Sequence, residues 1–319
     1  MATNLWFWVL FNAFVLAMLA IDLGLFHRRS HALRAREAAV WSALWVTLAL
    51  LFNAGLYRFA GPQPALEFLT GYVIEKSLAV DNLFVFAVIF SYFAVPERLQ
   101  YRVLYYGVLG ALIMRGAFIG LGTLALHEWH WVLYIFGGLL VLTGIRFAIR
   151  TEEIIEPARN PLIRLVRRVL PLSDTWNEHH FWVREGGKLR ATPLLLVLIV
   201  VELTDLVFAV DSIPAVFAVT RDPFLVYTSN VFAILGLRAM YFLLAGVVQR
   251  FIYLRYGLSI VLVFVGTKML LDSVIYVPTI ISLAVVAVVI TASILLSLLR
   301  RPAQKQAEPA AQPSVTRSR

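Results

Sequence analysis

The sequence predicts an all-α polytopic membrane protein of about nine transmembrane helices, containing a 3+3 inverted repeat. Three observations carry this. Hydrophobic residues make up 61% of the 319 and charged residues only 15%, with a mean hydropathy of +0.81. A soluble domain is about half apolar and a quarter charged. One core of this length cannot hide so much apolar surface, so lipid must cover it. The apolar residues gather in stretches of about 20, the length that crosses a bilayer. The basic residues gather in alternate connections, as the positive-inside rule requires. A soluble enzyme, a nucleic-acid module and a fibrous chain are excluded, and the net charge of +9 reads as topology rather than nucleic-acid affinity. The chain has no cysteine, which removes disulfides, thiolate nucleophiles, iron–sulfur clusters and cysteine metal sites.

In chain order the stretches run over 4–26, 40–60, 67–94, 102–126, 130–149, 193–219, 225–248, 252–272 and 276–299. Strands of a β-barrel would be half as long and alternate in polarity. No Lys or Arg precedes Arg28, so the first stretch lacks the basic start of a cleaved signal peptide and is expected to stay in the protein. Segments 27–39, 95–102, 150–192, 249–255 and 300–319 hold 21 of the 28 Lys and Arg, while the opposite loops hold only Arg221. The expected topology is therefore N-terminus outside and C-terminus cytoplasmic. The connection 150–192 contains a basic amphipathic run, Pro161-Leu-Ile-Arg-Leu-Val-Arg-Arg-Val-Leu170, suited to an anionic lipid surface. Gly186-Gly187 then suits a short hairpin turn. The transmembrane domain takes 1–300. The tail 301–319, rich in Pro, Ala, Gln and Ser, is expected to be disordered.

Self-comparison yields the repeat. Glu75-Lys-Ser-Leu-Ala-Val-Asp81-Asn in the third stretch matches Asp205-Leu-Val-Phe-Ala-Val-Asp211-Ser in the sixth. Val108…Arg115 matches Val231…Arg238 in the stretches that follow, and Gly144-Ile-Arg146 matches Gly266-Thr-Lys268 after those. Three helices, 67–149, thus recur as three, 193–272. Because three is odd, the copies stand upside down to each other, an architecture of secondary transporters with the substrate site at the repeat interface. Counted from the stretch ends, Glu75 and Asp211 each lie 8 residues below the outer side, and Asp81 and Asp205 each lie 14. The expectation is two tiers, Glu75 level with Asp211 and Asp81 level with Asp205, about 9 Å apart. Six residues rotate a helix by about 240°, so a local break is needed for both acids to face one site. Pro214, which removes the hydrogen bond to the Val210 carbonyl, is the candidate.

A charged residue at a helix centre costs about 2.5–3.5 kcal/mol on insertion scales, so these groups face one another or water. Glu75, Asp81, Glu202, Asp205 and Asp211 are the candidate metal ligands, with Glu75 and Glu202 as alternative proton carriers. Arg115 and Arg238 are candidate internal counter-ions, while Arg146 and Lys268, near helix ends, are expected to snorkel. All six histidines (27, 31, 127, 130, 179 and 180) fall in loops or at stretch edges. The buried donors are therefore oxygens, with Met114, Met240 and Met269 as soft additions. Such a set suits Mg²⁺, Ca²⁺ or Mn²⁺ and argues against Cu(I) or typical Zn²⁺. Glu178-His179-His180 reads as a solvated turn. No phosphate loop, Ser-His-Asp constellation or haem-type ligand pair is found in the stretches. An enzyme is not expected, nor a cofactor, nor nucleic acid as a partner.

At these residues the chain resembles the TerC family of integral membrane proteins, particularly its Alx-like branch. The motifs are Glu75-Lys-Ser-Leu-Ala-Val-Asp-Asn82, Glu202-Leu-Thr-Asp-Leu-Val-Phe-Ala-Val-Asp-Ser212-Ile-Pro214, Thr228-Ser-Asn230-Val-Phe-Ala-Ile-Leu-Gly-Leu-Arg238 and Gly266-Thr-Lys268-Met269, with Thr192-Pro-Leu and Asp22-Leu-Gly-Leu-Phe-His-Arg-Arg besides. The resemblance covers about 20–298. It implies a LysE-type transporter of the bacterial inner membrane, linked to manganese export and named for tellurite resistance. It adds Asn82, Ser212, Asn230 and Lys268 as supporting residues. The resulting expectation is export of Mn²⁺ in exchange for protons. The alternatives are a non-transporting membrane factor in protein insertion or assembly, or a role in tellurite and metal stress.

Overall fold

The computed structural model describes residues 5–27, 35–129, 131–149, 171–173, 180–185, 188–244, 253–271, 274 and 277–299, without the side chains of 22–27, 35, 81, 84, 188 and 244. The amphipathic run 161–170, the turn 186–187, Glu178-His179, His31, His130 and the tail 301–319 lie outside the described residues. Helices occupy every predicted apolar stretch: α1 (Leu5–His27), α2 (Ala35–Ala60), α3 (Pro62–Tyr92), α4 (Glu97–Glu128), α5 (Val132–Ile149), α6 (Pro193–Phe217), α7 (Pro223–Ile234), α8 (Leu237–Leu244), α9 (Leu254–Leu270) and α10 (Thr279–Leu299). By length and apolarity, six segments among the described residues can cross a membrane: Arg36–Ala60, Glu97–Glu128, Val132–Ile149, Pro193–Phe217, Pro223–Leu243 and Thr279–Leu299. The molecule is a mostly helical multi-pass membrane protein. The one sheet described is a hairpin of β1 (Trp182–Glu185) and β2 (Lys188–Ala191), paired antiparallel with Glu185 opposite Lys188.

Proline sets three of the helix starts. Pro62, Pro193 and Pro223 each open a helix, where the missing N–H costs nothing and the fixed φ is already helical. Asp222 caps α7 through a hydrogen bond from the Phe224 N–H, at 2.9 Å. Consequently α3 begins five residues before the predicted 67. α6 runs as continuous helix through Pro214 to Phe217, which corrects the expected break there. Pro214 stands so close to the helix end that losing one backbone bond does not interrupt it. The interruption lies in the seventh stretch instead, where Gly236 takes φ +88° and Leu235 leaves the helical region at ψ 126°.

Around this broken helix the others assemble. α3 packs on α7 and α6, α4 on α6 and α7, and α2 on α3 and α8. Within Pro223–Leu243, 83% of an 18-residue stretch is buried, far more than in any other such segment among the described residues, so α7–α8 is the centre of the molecule. Phe11, Phe52, Phe68 and Phe232 seal α1, α2 and α3 against it. α5 lies along α9 through Gly137, Gly144 and Gly266; a Cβ on Gly266 would come within 2.7 Å of the Gly137 carbonyl oxygen. Ser259 donates to the Gly144 carbonyl at 2.6 Å and Arg255 to the Phe147 carbonyl at 2.6 Å, fastening the pair. Large apolar side chains such as Ile113, Leu121, Leu142, Val207 and Val288 face outward, where lipid rather than water is their solvent.

Candidate functional site

The site is built around Arg115, the bulkiest of the fully buried side chains, midway along α4. Its guanidinium grips Asp205 of α6 with two bonds, Nε to Oδ2 at 3.1 Å and Nη2 to Oδ1 at 3.0 Å. Nη1 donates to Glu75 Oε1 of α3, to Asn230 Oδ1 of α7 at 3.0 Å and to Ser212 Oγ of α6 at 3.4 Å. Four helices therefore contribute to one charged cluster, in which a planar fork meets one carboxylate bidentately. Glu75 is 1% and Asp205 4% exposed. Two carboxylates and one guanidinium leave formal negative charge in a region with no solvent to share it. Among the described residues Glu75 Oε2 and Asn230 Nδ2 are buried without a hydrogen-bond partner, although such groups nearly always find one.

The two acids meet on one guanidinium from different depths. Thr220 Oγ1 donates to Glu67 Oε2 at 2.6 Å and a Cβ on Gly71 would lie 3.0 Å from Val216 Cγ1. Four residues further along each helix, this register sets Glu75 opposite Ser212, the neighbour of Asp211, as the expected tiers have it, and Arg115 bridges from there to Asp205. Asp211 lies further along α6, half-buried, where it accepts a hydrogen bond from Thr143 Oγ1 of α5 at 2.9 Å. Glu202 sits one turn before Asp205 and rests in a notch of α4. A Cβ on Gly110 would collide with its carboxylate, and one on Gly107 would touch it at 3.9 Å. Glu202 Oε2 is buried and has no hydrogen-bond partner among the described residues. Asn82 is buried on α3. Asp81 is on the same helix, one residue earlier, with its side chain outside the description.

Arg238, at the start of α8, stands apart from the Arg115 cluster. It donates to the Tyr101 hydroxyl at 2.9 Å and its guanidinium carbon is 4.4 Å from the centre of that ring. Lys268 donates to Ser282 Oγ of α10 at 3.0 Å. Among the described residues no three Asp, Glu or His groups converge as a metal site. The structure thus joins Glu75, Asp205, Ser212, Asn230 and Arg115, and places Glu202 before Asp205 and Asp211 between Asp205 and Ser212 along α6.

Sequence reasoning missed Thr143, Tyr101 and the glycine notch at Gly107 and Gly110. A threonine or tyrosine within an apolar helix carries no signal of its partner. The glycine spacing on α4 was a usable cue for a close approach.

The integral membrane protein TerC family model matches residues 60–305, which includes every residue of the cluster. An uncharacterized membrane protein of Myxococcus xanthus is 52% identical over 293 residues, 92% of either chain. Proteins of Escherichia coli K12 and Shigella flexneri, provisionally named membrane-bound redox modulator Alx, are each 54% identical over 289 residues, 88% of this chain and 90% of theirs. No solved structure matches the chain.

Proposed function

Because the chain belongs to the TerC family of integral membrane proteins, we propose that it exports a divalent cation, Mn²⁺, from the cytoplasm across the bacterial inner membrane in exchange for protons. The observation that supports this most is the Arg115 cluster: two acids from α3 and α6, held by one guanidinium among oxygen donors in the middle of the helices. Oxygen donors favour hard divalent ions. Intramembrane ionisable residues mark ion and proton pathways.

The same reading takes nine crossings with the N-terminus outside and an inverted repeat, and the packing supports the repeat. If α3, α4 and α5 correspond to α6, α7–α8 and α9, the contact of α3 with α7 becomes that of α6 with α4. Both are extensive, and α5 pairs with its own counterpart α9. The interruption at Gly236 is the kind of discontinuous helix that secondary transporters place at their substrate site.

In the proposed cycle Arg115 is an exchangeable counter-ion. A cation arriving at Glu75 and Asp205 displaces the guanidinium, and the guanidinium recaptures both acids when the cation leaves. Glu202 and Asp211 flank Asp205 along α6 and carry the ion or protons onward. Metal requires the carboxylates deprotonated, so the same groups serve both ions alternately. Exporting charge against 100 mV costs about 2.3 kcal/mol per elementary charge, and no nucleotide motif is present to supply it. The redox name of the relatives fits this reading by one route. The chain has no thiol of its own, whereas moving a redox-active metal changes the redox load of the cytoplasm.

Purified protein in liposomes tests the proposal. A pH gradient alone should drive Mn²⁺ uphill, and Asp211→Asn and Asp81→Asn should abolish this while still inserting. Flux that ignores both the pH gradient and a protonophore would remove proton exchange. Absence of any Mn²⁺ flux would remove the exporter reading and favour a non-transporting membrane factor.

A further inference from the structure

The break in α7–α8 has an occupant that the proposed cycle does not use. With Leu235 and Gly236 out of helical conformation, the last-turn carbonyls of α7 form a helix C-terminus in the interior. Such an end carries about half a negative charge and attracts cations. Lys76, next to Glu75 on α3, reaches across and donates its Nζ to the Ala233 carbonyl at 3.1 Å. Ala233 is fully buried and Lys76 half-buried. Among the described residues this carbonyl is the only hydrogen-bond partner of Lys76, and no carboxylate pairs with it. An ammonium in the interior would ordinarily face an acid. Here Glu75 is committed to Arg115, and the carbonyl end of a half-helix takes the acid's place.

We propose that the carbonyl end of α7 is a monovalent-cation site that the chain fills with its own ammonium, Lys76. Broken-helix transporters use such ends to coordinate a free coupling cation. A tethered ammonium makes that free cation unnecessary and keeps small monovalent ions out. On the exporter reading, it leaves protons as the coupling ion. The inference rests on that reading for this consequence only; the site itself follows from the break and from Lys76.

Excising the ammonium tests it. Lys76→Met keeps the apolar stem and removes the charge, and Lys76→Ala opens more room should the methionine crowd the end. Thermal unfolding of detergent-solubilised wild type and both variants is measured in choline chloride and in ammonium chloride at neutral pH. The wild type should unfold at the same temperature in both salts. The variants should unfold at lower temperature in choline and regain several degrees in ammonium, because a ligand that binds only the folded state stabilises it. Variants indifferent to ammonium, or a wild type that gains equally, would overturn the site. This readout needs no Mn²⁺ flux, so failure of the exporter reading and failure of the cation site are separately visible. In liposomes, Mn²⁺ flux through wild type should be equal in sodium and choline, while Lys76→Met should recover several-fold in ammonium.

Discussion

Glu75 and Asp205 stand on separate helices and meet on a single guanidinium, that of Arg115. Among the described residues neither acid has a second arginine or lysine partner, so Arg115 is the hinge of the local charge balance. Arg115→Met should cost about 3–5 kcal/mol, the penalty for leaving buried charge uncompensated, seen as a lower unfolding temperature of the solubilised protein. Adding Glu75→Gln and Asp205→Asn to that variant should recover much of the loss, since the charges that Arg115 answers are then gone. An Arg115→Met protein as stable as wild type would place the cluster in contact with water.

Gly110 gives Glu202 its space on α4. Gly110→Ala should destabilise by about 1–3 kcal/mol, as overpacking does, because the new methyl would overlap the carboxylate. In a Glu202→Ala background the same change should cost little. A double-mutant cycle over the two positions measures the coupling. Equal costs in both backgrounds would mean that the methyl meets something other than Glu202.

Two separate obstacles bar a side chain at Gly236. Its φ of +88° strains any L-residue, and a Cβ there would lie 2.9 Å from the Trp45 ring. Gly236→Ala should therefore cost about 1–3 kcal/mol from backbone strain, plus the clash. Trp45→Ala opens the space without changing the dihedral, so the double variant should recover only part of the loss. Full recovery in thermal unfolding would show that sterics, not backbone conformation, require the glycine.

Glycines 138 and 266 make a matched contrast. Around Gly138 a Cβ meets nothing within 4 Å, and alanine in a helix gains up to about 1 kcal/mol over glycine. Gly138→Ala should be neutral or stabilising. Gly266→Ala meets the Gly137 backbone oxygen, which cannot yield as a side chain can, and should cost about 1–3 kcal/mol. Reversal of that order in unfolding temperature would contradict the close approach of α5 and α9.

The helix positions were legible because lipid demands long apolar runs, and charge asymmetry could be counted. That Glu75, Asp205 and Arg115 meet polar partners rather than lipid was legible from their cost in such a setting. Their pairing was not. Residue counts give rise along an axis, but not which acids a long guanidinium on a third helix bridges. The direction around the axis was harder still: nothing in the sequence sends Asp211 to Thr143 on α5 rather than to the Arg115 cluster. Pro214 is the conspicuous residue for a break. Glycine at 236 gave no comparable sign, because a positive φ is a property of the folded chain.

The contact of α5 with α9 bears on how this sequence can drift. Where two backbones touch through Gly137, Gly144 and Gly266, no single enlargement on one helix can be absorbed by a rotamer on the other. Change there has to be concerted or absent. Around Gly138, one residue away from Gly137, the lipid-facing surface is free to wander. Pooled variants of this chain should therefore show a sharp alternation of tolerance along α5, intolerant on the seam and permissive beside it.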